Sequence, residues 1–382
     1  MKIRVVKYSD EWTVALEAFN ARLAAAGSSV AFPPPPDPRI IPPKFHHGLQ
    51  QVRYLAVEER SETGAGADCV SQVRGAYTLK FQPFWLGGEV LDVADFMLPV
   101  SEGIVDRAYT QIAPSLLLDA IQRHPLLYGL GMGGFDEAVA RFLKAAGWQL
   151  FSVPFFFYIV HPFRFLRNIV HLRRGRLRQT LLDLLAFSGC GWIAGNGWKL
   201  LHAARGTVDR TARVELVADF QAWSDEVWDA ARRHYGMCSL RDAATLRRMY
   251  PREADDFQRI KVLREDKVIG WALVLNTQLR GHRHFGNMRL GSIVDCFAVP
   301  EDAAAVVEQA RSLLVQQGVD LVISNQSHRA WCAALKTCGF VSGPSNFIFT
   351  SSKTLTRKME EKQIRPDELH LNRGDGDGPI NL

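Results

Sequence analysis

Gly131-Met-Gly-Gly134 comes closest to a ligand-binding loop by residue type. It falls between a short apolar run, Leu126–Leu130, and a helix that Asp136 can cap. Bare backbone amides there could meet a phosphate. The spacing completes neither dinucleotide nor P-loop fingerprint, so a tight strand-to-helix turn is the plainer reading. Arg373-Gly-Asp-Gly-Asp-Gly378 is like a fragment of a calcium loop without its distal glutamate. It reads as part of a flexible tail over 353–382. The six cysteines form no Cys-x-x-Cys pair, and no histidine cluster accompanies them at zinc spacing. Buried, reduced thiols are expected, and no metal site.

One segment carries most of the chain's charge excess. Residues 161–210 hold nine lysines and arginines against Asp183 and Asp209, more net charge than the +6 of all 382 residues. Its basic part, Phe163 to Arg174, interleaves aromatic and aliphatic residues with arginine. Leu181 to Leu201 follows, apolar but broken by Asp183, Asn196, Lys199 and four glycines, which argues against a membrane span. A packed linker over 161–211 is the plain reading. A peripheral contact with anionic membrane through 161–205 is the sharper one. No RNA-binding or helix-turn-helix signature supports a specific nucleic-acid partner. The first ten residues lack an apolar h-region, so cytoplasmic residence is the default expectation.

These residues need elements to hold them. At 47% hydrophobic and 23% charged, the chain can bury sizeable cores, and its length suits two or three domains. Ile3–Tyr8 alternates like a strand, and a helix follows to about Ala26, stopped by Gly27. Phe32-Pro-Pro-Pro-Pro-Asp-Pro38 reads as a stiff surface loop. Arg53–Glu58, Gln72–Phe81 and Glu89–Val100 read as strands, Arg107–Arg123 as a helix with Pro114 in its first turns. A short strand, a helix closed by Gly147 and an apolar stretch, Gln149–Val160, complete the first half. The second half repeats the order. Ala138, Leu143, Lys144, Gly147 and Trp148 recur 192 residues on as Ala330, Leu335, Lys336, Gly339 and Phe340. Gly75 pairs loosely with Gly270, Asp95 with Asp295, and Pro99 with Pro300. The spacing predicts related modules over 1–160 and 212–352.

The order strand, helix, hairpin, strand, helix, strand, helix, strand resembles the GNAT acyltransferase fold. A helix ending Leu-Lys-x-x-Gly-aromatic is similar to that family's penultimate segment. The resemblance implies an α/β (α+β) protein of two GNAT-like modules, each a mixed twisted sheet flanked by helices. The tandem arrangement also resembles the FemABX aminoacyl transferases. By resemblance the chain moves an acyl group from acetyl-CoA or another acyl-CoA to a small-molecule, sugar or peptide amine. The alternatives are a FemABX-type aminoacyl transferase and a non-catalytic scaffold.

The family holds the pyrophosphate of coenzyme A on backbone amides at a helix N-terminus, in an Arg/Gln-x-x-Gly-x-Gly/Ala loop. The matching stretch here is Ala108-Tyr-Thr-Gln-Ile-Ala113. Ala113 fits the last position. Gln111 stands in place of glycine, and Ala108 in place of Arg or Gln. Leu98, Val100, Arg107, Gln111, Ile112 and Ala113 are the implied donor contacts. The second module offers Pro300-Glu-Asp302 instead, and acids there repel a phosphate. Asp92 and Asp95 lie on the strand that lines the acyl site in the family. The resemblance makes Asp95 the candidate base and Tyr109 the candidate acid to the leaving thiolate.

Overall fold

The computed structural model describes residues 2–33, 48–59, 71–170, 211–254, 256–282 and 284–376. The proline run from Pro34 and most of the basic segment lie outside these residues.

Two twisted mixed sheets, each flanked by helices, make up the molecule, as the resemblance implies. The first is built from β1 (Lys2–Lys7), β2 (Gln51–Glu59), β3 (Gln72–Leu86), β4 (Glu89–Ser101), β5 (Leu127–Gly131) and β6 (Gln149–Ser152). Helices α1 (Thr13–Ala25), α2 (Ile112–Arg123) and α3 (Ala138–Ala145) pack around it, with α1 and α2 on opposite faces. The second sheet holds β8 (Arg213–Val217), β10 (Gln258–Arg264), β11 (Lys267–Gln278), β12 (Arg289–Ala298), β13 (Leu321–Asn325) and β14 (Val341–Gly343). Its helices are α5 (Ala222–Ala231), α6 (Ala243–Met249), α7 (Ala303–Gln316) and α8 (Arg329–Thr337). The short α4 (Pro162–Asn168) lies between the halves in sequence.

The sheets exchange a strand. Phe155–Ile159 (β7) does not stay beside β6. It enters the second sheet antiparallel to both β13 and β14. Ile348–Ser351 (β15) does the reverse and sits between β5 and β6 of the first sheet. The expected modules 1–160 and 212–352 therefore each lend one strand to the other. Strand periodicity gives existence but not partner, so the sequence alone cannot show the crossover. The unbroken Phe155-Phe-Phe-Tyr158 run now has its reason. β7 is an inner strand with both faces covered: Phe156 and Tyr158 enter one core, while Phe155 and Phe157 pack on another.

The internal repeat is visible in the geometry. Helix α3 precedes the edge strand β6, and α8 precedes the edge strand β14. Gly147 and Gly339 both have φ of +84°. Trp148 N donates to Leu143 O and Phe340 N to Leu335 O, both at 3.0 Å, the same helix-ending turn in each half. Gly75 and Gly270 serve one purpose too. A Cβ on Gly75 would stand 2.6 Å from Ile112 of α2, and one on Gly270 2.7 Å from Val306 of α7. Each glycine lets the following helix press onto its sheet.

The expected tail is the largest departure from the sequence reading. Lys353–Glu361 is an amphipathic helix (α9). Leu369–His370 (β16) pairs with a short strand, β9 (Met237–Ser239). Asn372, Gly374 and Asp375 are buried. The Arg-Gly-Asp run is thus a packed turn, because Asp375 finds a cationic partner that lies 134 residues away in sequence.

Candidate active site

In the first module the sheet opens where the resemblance puts the donor. Strands β4 and β5 pair in parallel only at Ala94–Leu127 and Asp95–Tyr128. Beyond that, among the described residues, no strand pairs with Phe96–Ser101 on the β5 side. Here β4 carries a bulge: Leu98 has φ of +50°, a left-handed conformation unusual for leucine, and its side chain is 43% exposed. The strand leads into two 3-10 turns, Glu102–Ile104 and Arg107–Tyr109, and then into α2.

A buried ion cluster fixes this loop. Arg74 of β3 donates to Glu58 Oε2 at 2.7 Å and to both Glu102 oxygens at 3.0 Å. Arg22 reaches Glu102 from α1 at 2.9 Å. Burial pushes the Glu102 carboxyl upward, but the two guanidiniums outweigh it and hold the group below the ordinary glutamate range. Gly103 packs so closely that a Cβ would lie 2.7 Å from Tyr109 O. The loop is therefore preorganised, with its acid neutralised internally.

The expected donor contacts divide by position. Arg107 and Gln111 are exposed and Ala113 is half-buried; Gln111 and Ala113 sit at the start of α2, and Arg107 in the 3-10 turn just before it. Val100 and Ile112 turn their side chains into the core, leaving only backbone for a ligand. First-turn amides lack intrahelical partners, and Pro114 has no amide to offer. The loop is less neutral than its sequence suggests. Asp106 caps the turn, accepting from Ala108 N at 2.9 Å.

The two proposed catalytic residues are not brought together. Asp95 faces Lys80 across β3 and β4, with Lys80 Nζ 3.3 Å from Asp95 Oδ2 and both side chains buried. Tyr109 lies under the guanidinium of Arg74, 4.2 Å from ring centroid to Cζ. Lys80 and Arg74 are six residues apart on β3, about 20 Å between their Cα atoms at ~3.3 Å per residue, so different parts of the strand hold the two side chains. Burial raises the Tyr109 phenol, which weakens it as an acid. Asp92 is exposed.

The Gly131–Gly134 loop is a turn of four left-handed residues, with φ of 122°, 56°, 78° and 138°. Glu137 lies against Gly133 at the start of α3, where its charge disfavours a phosphate.

The second module opens similarly. Its parallel pairing ends at Ile293–Ser324. At the start of α7 stand exposed Glu301 and half-buried Asp302, the latter bonded to Arg264 at 2.8 Å. Sequence reasoning missed what lies between the modules. Asp295, matched to Asp95 by the repeat, accepts from Arg241 Nε at 2.9 Å. Arg241 Nη2 also meets both Asp375 oxygens at 3.0 Å. Lys80 Nζ donates to the carbonyls of Asp375 and Gly376 at 3.1 and 2.6 Å. Three buried carboxylates thus face two buried cations. Burial pushes the Asp295 carboxyl upward, and Arg241 only partly offsets it. The pairing of Asp95 with Asp295 was legible in sequence. Lys80 and Arg241, 15 and 54 residues from those aspartates in sequence, gave no pattern.

Comparison with solved structures accounts for this geometry. A probable N-acyltransferase of otherwise unknown function from Enterococcus faecalis superposes at a TM-score of 0.53, with 10% identity, over 94% of this chain and 74% of its own. A GCN5-related N-acetyltransferase from Anabaena variabilis gives 0.52, with 12% identity, over 91% and 72%. The chain has the GNAT fold. A tandem GNAT protein from the clavulanic acid pathway is a weaker likeness, at 0.43 and 13% identity, over 92% and 98%. No family model matches the sequence, and no curated protein does. Among the described residues no helix is long and apolar enough to cross a membrane, and no group of histidine, cysteine and acidic side chains could hold a metal ion.

Proposed function

We propose that the protein is an N-acyltransferase that takes an acyl group from acyl-CoA and gives it to a primary amine, with the donor in the first module. The observation that carries this is the parting of β4 from β5 after Asp95 and Tyr128, beside the first turn of α2. An extended thioester fits along the unpaired edge of β4. Its pyrophosphate would meet the amides near Gln111–Ala113, with exposed Arg107 supplying charge. The amine attacks the thioester carbon, a C–N bond forms and the C–S bond breaks. Amides at the Leu98 bulge suit the developing oxyanion. Asp95 is committed to Lys80, so the amine's proton passes to water in this scheme, and Tyr109 is left to packing. Acetyl-CoA is the simplest donor to try, and a small-molecule, sugar or peptide amine the acceptor class. Exposed Phe163 and Val170 beside Arg167 support a peripheral contact with anionic lipid. A scaffold role is the rival, favoured by the Asp106 carboxylate already seated on an amide of the loop.

Calorimetry with acetyl-CoA decides between them. Ala113→Glu should abolish binding, because it puts bulk and charge into the first turn of α2, where an anion gains ~0.3–1 kcal/mol from the dipole. Ala304→Glu in the second module should change little. Both variants must melt like the parent. No heat and no thermal shift with millimolar-range acetyl-CoA in the parent would leave the scaffold reading standing.

A further inference from the structure

Each sheet of this fold has a place where two parallel strands part and leave backbone groups facing a gap. Such groups need partners. In the first module, no described strand supplies them. In the second, the chain's own C-terminal segment does. We infer that Leu369–Gly376 is a built-in occupant of the second module's strand gap, closing it to any extended ligand and leaving the first gap as the donor position.

The segment touches both sides of the gap. On the β12 side, His370 Nε2 lies 2.9 Å from Cys296 O, and it must be the donor because a carbonyl only accepts. Asn372 Nδ2 donates to Asp295 Oδ1 at 2.6 Å. On the β13 side, Asn372 forms a bridge with Gln326. Ser327 N donates to Leu371 O at 3.1 Å, and Leu371 N to Ser327 Oγ at 2.8 Å. Arg373 Nη1 reaches Asn325 Oδ1 at 3.1 Å. The gap thus holds a peptide bonded to both walls.

The fit is specific. A Cβ on Gly374 would lie 2.0 Å from the Tyr250 hydroxyl, so this position admits only glycine. Asp375 is the latch. Its carboxylate accepts from Arg241 and Ser239, and also from Asn372 N at 3.0 Å, which closes the turn on itself. Seven of the eight residues are buried, with Arg373 half-buried. The segment is tied to the first sheet as well: Leu369–His370 pairs with β9, which pairs with β3 at Phe84–Leu86, and Tyr128 and Lys80 hold the Asp375 carbonyl. Charge points the same way. Glu301 and Asp302 at the start of α7 would repel a phosphate, whereas a peptide asks nothing of them.

Two cysteines report on occupancy. Cys296 lies on β12 in the gap, and Cys238 pairs with His370 in the β9–β16 ladder. Both are buried. Cys338 is also buried in the second module, but it bonds to Ala304 O, away from the segment. Pulsed maleimide labelling of the full chain, read by peptide mass spectrometry, compares the parent with Asp375→Asn and Asn372→Ala/Asp375→Ala. Local release should speed Cys296 and Cys238 by about tenfold or more while Cys338 stays protected. Unchanged Cys296 would overturn the inference. So would acceleration of Cys338 in step with it, even in the mild Asp375→Asn, since the segment would then be inseparable from the core. Placing the donor in the first gap rests on the acyl-transfer reading, and a second arm separates the two. Calorimetry should find one acetyl-CoA per parent chain and none in Ala113→Glu. A site that survives Ala113→Glu overturns closure of the second gap. No binding by the parent refutes the acyl-transfer reading alone, and the labelling still decides occupancy.

Discussion

Replacing Arg241 with methionine should be among the most damaging single changes in this protein. The guanidinium is fully buried and makes five hydrogen bonds: one to Asp295, two to Ser239 and two to Asp375. Methionine fills much of the volume but leaves two buried carboxylates facing each other without a counter-charge. Breaking a buried pair by removing one partner costs about 3–5 kcal/mol, and here two carboxylates share the lost partner. That is a large share of the ~5–15 kcal/mol that holds a typical domain folded. The sign with pH follows. In the variant the Asp295 carboxyl, already raised by burial, loses the guanidinium that partly offsets it, so the folded form binds more protons than the unfolded one near neutrality. Stability is then fully present below the ordinary aspartate range and is lost as pH rises through the raised Asp295 value. Urea melts at pH 8, 7, 6 and 5 should therefore show the penalty shrinking as pH falls. Arg241→Lys keeps the charge but cannot fork to both aspartates, so it should lose less than methionine and more than nothing. A loss under about 1 kcal/mol for Arg241→Met, or a loss that does not shrink at pH 5, would refute the view that this cluster joins the modules electrostatically.

Other outcomes follow from the same geometry. His328 is buried, its Nδ1 accepts from Ala330 N at the start of α8, and burial lowers its pKa to about 4, from about 6.5 for an exposed imidazole. The unfolded chain takes up this proton between those values and the folded one does not, so stability should fall with pH by roughly 2 kcal/mol at pH 5. His328→Asn, which can still cap, should flatten that part of the profile in melts from pH 7 to 4. Gly75→Ala and Gly270→Ala should each cost about 1–3 kcal/mol through overpacking against α2 and α7. Equal melting of either variant and the parent would deny the close helix approach.

The sequence made the two-module plan legible because its signals are local. A glycine four residues past Leu143 or Leu335 forces the same left-handed stop wherever it occurs, so the Leu-Lys-x-x-Gly repeat could be read without a structure. Gly75 and Gly270 stood out for a similar reason, since each sits mid-strand where a side chain would usually pack. What escaped depends on partners far away in the chain. Phe155–Tyr158 reads as an apolar strand in any sheet, and nothing in its period tells β6 from β13 as neighbour. Asp375 sits among glycines, the composition of a loose tail, and only Arg241 makes it a buried anchor. Asp106 is a similar case. Its cap on Ala108 is local, yet an aspartate before a turn is too common to single out. In the candidate site, exposed Arg107 and Gln111 and half-buried Ala113 follow one another through the last 3-10 turn into the start of α2. Asp95 and Tyr109 were joined only by resemblance, and β3 holds them apart.

The strand exchange and the C-terminal turn act on the same problem from two directions. β15 is flanked on both sides by strands of the first module, and β7 by strands of the second. Removing either would strip two ladders of hydrogen bonds from the sheet it serves, so neither half holds a complete sheet of its own. The exchanged strands thus join the halves by backbone bonds at one side of each gap. The segment Asn372–Gly376 adds a second joint: Arg241 pairs with its Asp375 carboxylate, Asp295 accepts from Asn372 Nδ2, and Lys80 of the first module donates to its carbonyls. Between these two joints the gaps cannot shift independently. A ligand drawn into the first gap would meet walls already set by the second module's packing, which is the condition for holding a thioester in one orientation. Under the acyl-transfer proposal, the second module gives up its own gap and braces the first.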